Sequence, residues 1–177
     1  VEHQSLHGGS IRVFVQHADG PHAPTKQLQK TLESEAYLNE LAPYTKFAQR
    51  IEKNKETLQK LLSSLKQQGK RIVGYGAPAK ATTLCYAFGI DSSHLDYIVD
   101  DDATFKQGRL MPGTHIPIYN PETLYGEGPH AAQAPRGKPD YCVILAWNFA
   151  EPIMQSHARF TSQGGKFIIP VPEPRIV

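Results

Sequence analysis

The segment Arg71-Ile72-Val73-Gly74-Tyr75-Gly76-Ala77-Pro78-Ala79 constrains the fold more than any other stretch of the chain. A short β-branched run opens into G-x-G-x-x-A and then into a helical pattern over 77–89 that Gly89 stops. A strand turning tightly into a helix is the first half of a βαβ unit, whose next strand must return parallel to the first. The glycines permit the tight turn and a close approach of ligand to backbone. The following helix start offers N–H groups and a partial positive charge to a phosphate or carboxylate. A plain turn that packs a helix on a strand has the same pattern, so the motif gains its meaning from its surroundings.

Those surroundings alternate. His94 to Asp100 reads as a strand, 101–113 as a polar loop, and His115 to Tyr119 as a short strand near a sheet edge, because Pro117 cannot donate to a ladder. Pro121 starts a helical turn. Residues 126–138, rich in Gly, Pro and Ala, read as a surface insertion. Tyr141 to Ala146 is a continuous apolar run, as in a strand covered on both faces. Residues 149–163 suit a helix, and Lys166 to Pro170 is the last strand. Strands alternating with helices predict an α/β fold: a Rossmann-like, mostly parallel sheet flanked by helices over 71–177.

The first seventy residues have a different texture. Residues 11–17 read as a strand, 18–25 as a linker, and 26–41 as a helix capped by Thr25. A second helix over 44–68 carries Phe47, Ile51, Leu58, Leu61, Leu62 and Leu65 near one face, a core stripe or an assembly surface. The chain carries no initiator Met, and its strand at 11–17 reads as the second arm of a pair whose first arm is cut off, which predicts a fragment of a longer protein. The domain reading is therefore 1–17 as the tail of a preceding domain, 18–70 as linker and helical connection, and 71–177 as a ligand-binding domain.

Composition narrows the partners. The 177 residues are 40% hydrophobic and 20% charged, with a net charge of +2. That balance is too mild for nucleic acid, and the lysines of 46–70 read as the solvated face of a helix. No apolar run approaches the roughly 18 residues of a membrane span. Cys85 falls in a helix pattern and Cys142 in an apolar strand. They read as buried free thiols of a cytoplasmic protein, without the spacing of a metal site.

The candidate chemistry collects at the expected carboxyl ends of the strands. Gly74, Tyr75, Gly76 and Ala77 form the turn, and Lys80 lies one helical turn on, where it adds a point charge. Asp100 and Asp101 follow the next strand, either as acceptors for sugar hydroxyls or as a solvated acidic turn. In a doubly wound sheet the strand from Tyr141 lies beside that from Arg71, across the switch point where ligands bind. There Trp147 is placed to stack on a base or sugar and Asn148 to hydrogen-bond it, or to cap the next helix. His7, in the turn His7-Gly8-Gly9-Ser10, is a candidate general base.

Five segments in order carry a resemblance over nearly the whole chain: His7-Gly8-Gly9-Ser10-Ile11-Arg12; Gly74-Tyr75-Gly76-Ala77-Pro78-Ala79-Lys80-Ala81; Asp100-Asp101 with Lys106-Gln107-Gly108; Pro112-Gly113-Thr114-His115-Ile116-Pro117-Ile118; and Leu145-Ala146-Trp147-Asn148-Phe149. They resemble the C-terminal region of the S-adenosylmethionine-dependent sugar C-methyltransferases that act on nucleotide-linked keto-deoxysugars. The resemblance implies a zinc-binding domain and a methyltransferase domain preceding this region, with S-adenosylmethionine bound there and not by this chain. It implies that residues 71–177 help hold the nucleotide-sugar, and that His7 is a base abstracting a proton next to the keto group. It also implies that this chain alone is inactive. Two other readings stay open: an NAD(P)-dependent oxidoreductase domain, resting on the Gly-rich turn and Asp100, and a non-catalytic scaffold resting on the long helix.

Overall fold

The computed structural model describes residues 1–6, 9–135 and 137–177. The chain divides into two compact units, Val1–Ile51 and Glu52–Val177.

In the first unit, β1 (Glu2–Gln4) pairs antiparallel with β2 (Ser10–Arg12), with Glu2 opposite Arg12 and Gln4 opposite Ser10. The strand expected over 11–17 thus ends at Arg12, and its partner arm lies within the chain. The reason is local: β1 supplies only three residues to pair with, and from Gln16 onward the side chain takes over. Gln16 accepts from the His22 N–H at 3.0 Å and donates to the His22 carbonyl, closing a loop. Helix α1 (Lys26–Glu35) begins where Thr25 Oγ1 accepts from the Leu28 N–H at 3.2 Å. It tightens into a 3-10 turn over Ala36–Asn39 before the expected end at 41. Helix α2 (Ala42–Gln67) follows, with Pro43 in its first turn, where the missing N–H costs nothing. The boundary between the units falls within α2.

The second unit contains β3 (Ile72–Tyr75), α3 (Ala79–Phe88), β4 (Ile98–Val99), β5 (Ile118–Tyr119), a 3-10 turn over Pro121–Tyr125, β6 (Tyr141–Ile144), a 3-10 turn over Trp147–Phe149, α4 (Ala150–Ser156), α5 (Ala158–Ser162), β7 (Lys166–Ile169) and β8 (Arg175–Ile176). The sheet order is β5-β4-β3-β6-β7-β8. Strands β3 to β7 run parallel, and β8 returns antiparallel on β7. β5, the strand with Pro117 before it, is an edge. β8 was not expected, since two residues between prolines and the chain end carry no periodicity.

Alternate residues of each strand face opposite sides of the sheet, and two cores result. On one side Ile72, Ile98, Ile118, Val143 and Ile168 pack with Leu58, Leu62 and Leu65 of α2 and Ala81, Leu84 and Phe88 of α3. On the other, Val73, Tyr75, Val99, Cys142, Ile144 and Phe167 pack with Ala150, Ile153 and Phe160 of α4 and α5. Both cysteines are free and buried, and burial pushes the Cys85 thiol up to about 11. At the amino end of the sheet, Arg71 grips the insertion through the carbonyls of Pro135 and Gly137. The helix expected over 149–163 breaks at His157 (φ −110°, ψ 30°), whose ring meets two tyrosine hydroxyls. No described helix is long and apolar enough to cross a membrane.

Candidate functional site

The strand order reverses between β3 and β6, so the carboxyl ends of these two strands form the switch point. Tyr75 stands in register with Ile144, and the Gly76 turn comes to rest beside Leu145 and Ala146. Gly74, Tyr75, Gly76, Ala77, Lys80, Trp147 and Asn148 are therefore brought to one end of the sheet, with Asp101 just past β4 on the same end.

The turn itself is closed by protein. Gly76 sits at φ +87°, and a Cβ there would lie 2.7 Å from Ala146 Cβ. A Cβ on Gly74 would lie 3.0 Å from both Ile98 Cγ1 and Leu145 Cδ1. The Gly76 N–H donates to the Val99 carbonyl at 2.7 Å, and the Ala77 N–H is taken by Asp100 Oδ2 at 2.6 Å. Asp100 is only 6% exposed. It pairs with Lys106 Nζ at 3.1 Å and accepts the Asp102 N–H at 2.9 Å. Its carboxylate is thus committed to the turn and is not presented to a ribose. That removes Asp100 from the dinucleotide reading, which rested on it and on the Gly-rich turn.

What remains open is the rim beyond the turn. Lys80 Nζ lies 4.7 Å from the centre of the Trp147 ring and 5.6 Å from that of Phe149. Cation–π attraction holds the ammonium over these rings while leaving its donors to face solvent or an anion. Lys80 has no ion pair with a carboxylate among the described residues. The cap position of α4 falls on Phe149 and not on Asn148, so the alternative role of Asn148 as that helix cap is not realised. His7 lies outside the described residues.

Four residues sit together that sequence reading did not single out as a group. Tyr75 donates its phenolic proton to Asp101 Oδ2 at 2.8 Å and lies 2.9 Å from His157 Nε2. His157 Nδ1 lies 2.9 Å from the Tyr125 hydroxyl. The Arg159 guanidinium covers the Tyr125 ring at 4.4 Å and pairs with Glu127 at 2.5 Å. Burial, then the Asp101 hydrogen bond, pushes the Tyr75 phenol well above its ordinary range. Burial also holds His157 below its ordinary value, with Asp101 opposing. The sequence carried no signal for this group, since 149–163 read as one helix and residues so far apart in the chain carry no common spacing.

A groove of about 670 Å³ lies elsewhere, at the C-terminal half of α3, lined by Thr82, Thr83, Tyr86, Asp91, Ser92 and Thr114 among others. None of the candidate residues lines it. Among the described residues no three His, Cys, Asp or Glu side chains gather as a metal site.

Residues 5–172 match the family described as "C-methyltransferase C-terminal domain". The chain is 35% identical over 174 residues to the C-methyltransferase NovU of Streptomyces niveus, an alignment covering 97% of this chain and 39% of that protein. The chain thus spans well under half the length of this relative. The match running from residue 5 to residue 172 places the chain in the C-methyltransferase C-terminal domain family.

Proposed function

We propose that this chain is the substrate-holding C-terminal part of an S-adenosylmethionine-dependent C-methyltransferase whose substrate is a nucleotide-linked keto-deoxysugar. The observation that carries the reading is Lys80, an ammonium without a carboxylate partner among the described residues, held over Trp147 and Phe149 at the switch point. A diphosphate matches that charge, and the indole offers a face to a base or sugar.

The Gly-rich turn does not fit S-adenosylmethionine, because Asp100 takes the Ala77 N–H and Ala146 fills the space above Gly76. In this reading the methyl donor belongs to the part of the protein that precedes this chain, with the zinc-binding domain. The reaction of the whole protein is proton abstraction next to a keto group followed by C-methylation, with His7 as the candidate base. The present residues bind and orient: Lys80 neutralises phosphate, Trp147 and Asn148 flank the nucleotide-sugar, and Asp101 accepts from a hydroxyl.

The test is calorimetric titration of the full-length protein with thymidine diphosphate, NAD and S-adenosylmethionine. Thymidine diphosphate binds, and Lys80→Ala weakens it by about fivefold or more, the worth of one charge-assisted contact. S-adenosylmethionine affinity stays unchanged in that variant. Binding of NAD in place of thymidine diphosphate, or indifference to Lys80→Ala, overturns the reading.

A further inference from the structure

We propose that Tyr75, His157 and Tyr125 form a positioning chain that fixes the Asp101 carboxylate as acceptor for a hydroxyl of the bound ligand. The inference rests on the nucleotide-sugar reading above and adds three residues to it.

Donor counting sets the direction of every bond in the chain. A carboxylate only accepts, so the single Tyr75 proton points to Asp101 Oδ2. The Tyr75 oxygen must then accept from His157, which requires the proton on Nε2. A neutral imidazole carries one N–H, so Nδ1 accepts from the Tyr125 hydroxyl. All donors point toward Asp101. The far end is anchored in turn, since Arg159 covers Tyr125 and is itself held by Glu127.

The geometry has no evident purpose for stability at its outer end. Asp101 is exposed, and among the described residues Tyr75 is its one hydrogen-bond partner. A surface carboxylate is ordinarily free to rotate. Here one oxygen is fixed by a buried tyrosine that a histidine and a second tyrosine hold in place, and the other has no hydrogen-bond partner among the described residues. That is the arrangement of a preoriented acceptor: Tyr75 keeps the carboxylate in one rotamer, so a ligand hydroxyl meets it without the loss of side-chain freedom. His157 stands at the break between α4 and α5, and from there its imidazole meets the hydroxyls of Tyr75 and Tyr125.

The experiment compares wild type with Asp101→Asn, Tyr75→Phe, His157→Phe, His157→Gln and Lys80→Ala in the full-length protein. Dissociation constants are measured for thymidine diphosphate and for thymidine diphosphate–glucose. Asp101→Asn weakens binding about tenfold, and Tyr75→Phe and His157→Phe each weaken it about fivefold, as expected for a hydrogen bond to a charged acceptor and for its loss of orientation. His157→Gln, whose amide can donate to Tyr75 and accept from Tyr125, restores most of the affinity. A loss shared by both ligands assigns the hydroxyl to the pentose, and a loss seen only with thymidine diphosphate–glucose assigns it to the hexose. Both support the proposal. Nitrogen chemical shifts of His157 in the unliganded protein show the proton on Nε2.

Wild-type binding that responds to Lys80→Ala but not to Asp101→Asn, Tyr75→Phe or His157→Phe overturns the positioning chain alone. A proton found on Nδ1 overturns it as well. No wild-type binding of either ligand overturns both readings. Asp101→Asn alters an exposed side chain, so the question stays decidable even where His157→Phe fails to fold.

Discussion

Gly76 is held at φ +87° with Ala146 pressed against the side from which a side chain would project. Gly76→Ala therefore meets both a disfavoured backbone region and a 2.7 Å contact, and is expected to lower stability by about 2 kcal/mol or more in urea unfolding. Asp100 works at the same turn from the other strand. Replacing it by Ala strips the Ala77 N–H and Lys106 of their acceptor, at an expected cost of about 2–3 kcal/mol. His157 gives a pH signature. Its folded-state pKa lies below the ordinary 6.5 because burial disfavours the imidazolium. Below 6.5 the unfolded chain takes up the proton that the folded chain resists, so the contribution of neutral His157 is fully present above about 6.5 and is lost as pH falls through the lower folded value. Thermal unfolding of wild type against His157→Gln across pH 5 to 8 checks this: the variant shows the shallower loss on the acid side.

Helix α2 behaves as two pieces. Its apolar stripe is continuous in the sequence, yet Leu58 and Leu62 are fully buried in the second unit while Phe47 is 54% exposed. Leu62→Ala is expected to cost about 2–5 kcal/mol through lost burial and a residual cavity. Phe47→Ala falls within roughly 0.5 kcal/mol in the same chain, as for exposed positions generally. Chemical denaturation of the two variants measures the contrast directly. Among the strands, the long apolar run at Tyr141 to Ala146 and the proline beside β5 were legible as centre and edge, because burial on both faces and a missing donor leave marks in composition. β4 shrank from an expected seven-residue strand to Ile98–Val99, since ladder length depends on what the neighbouring strands offer.

At the scale of the molecule, both hydrophobic cores consist of residues from Glu52 onward. A chain beginning at Glu52 is thus expected to unfold cooperatively, with a Tm within a few degrees of that of the 177-residue chain, as read by circular dichroism. Loss of the cooperative transition would show that Val1–Ile51 completes the fold.

The alternation of strand, turn and helix from Arg71 onward determined the fold class, and the position of the Gly-rich turn determined which end of the sheet carries the candidate site. These are local properties: backbone period, turn chemistry and handed crossovers act over a few residues and are written in order along the chain. Five ordered segments likewise sufficed to indicate the family. The tertiary structure alone decided that Asp100 closes the turn instead of facing a ribose, that Lys80 lies over two aromatic rings, and that Asp101, Tyr75, His157 and Tyr125 join in one chain of hydrogen bonds. Those contacts link residues up to 82 positions apart, and no local period encodes a meeting that only the winding of the sheet brings about.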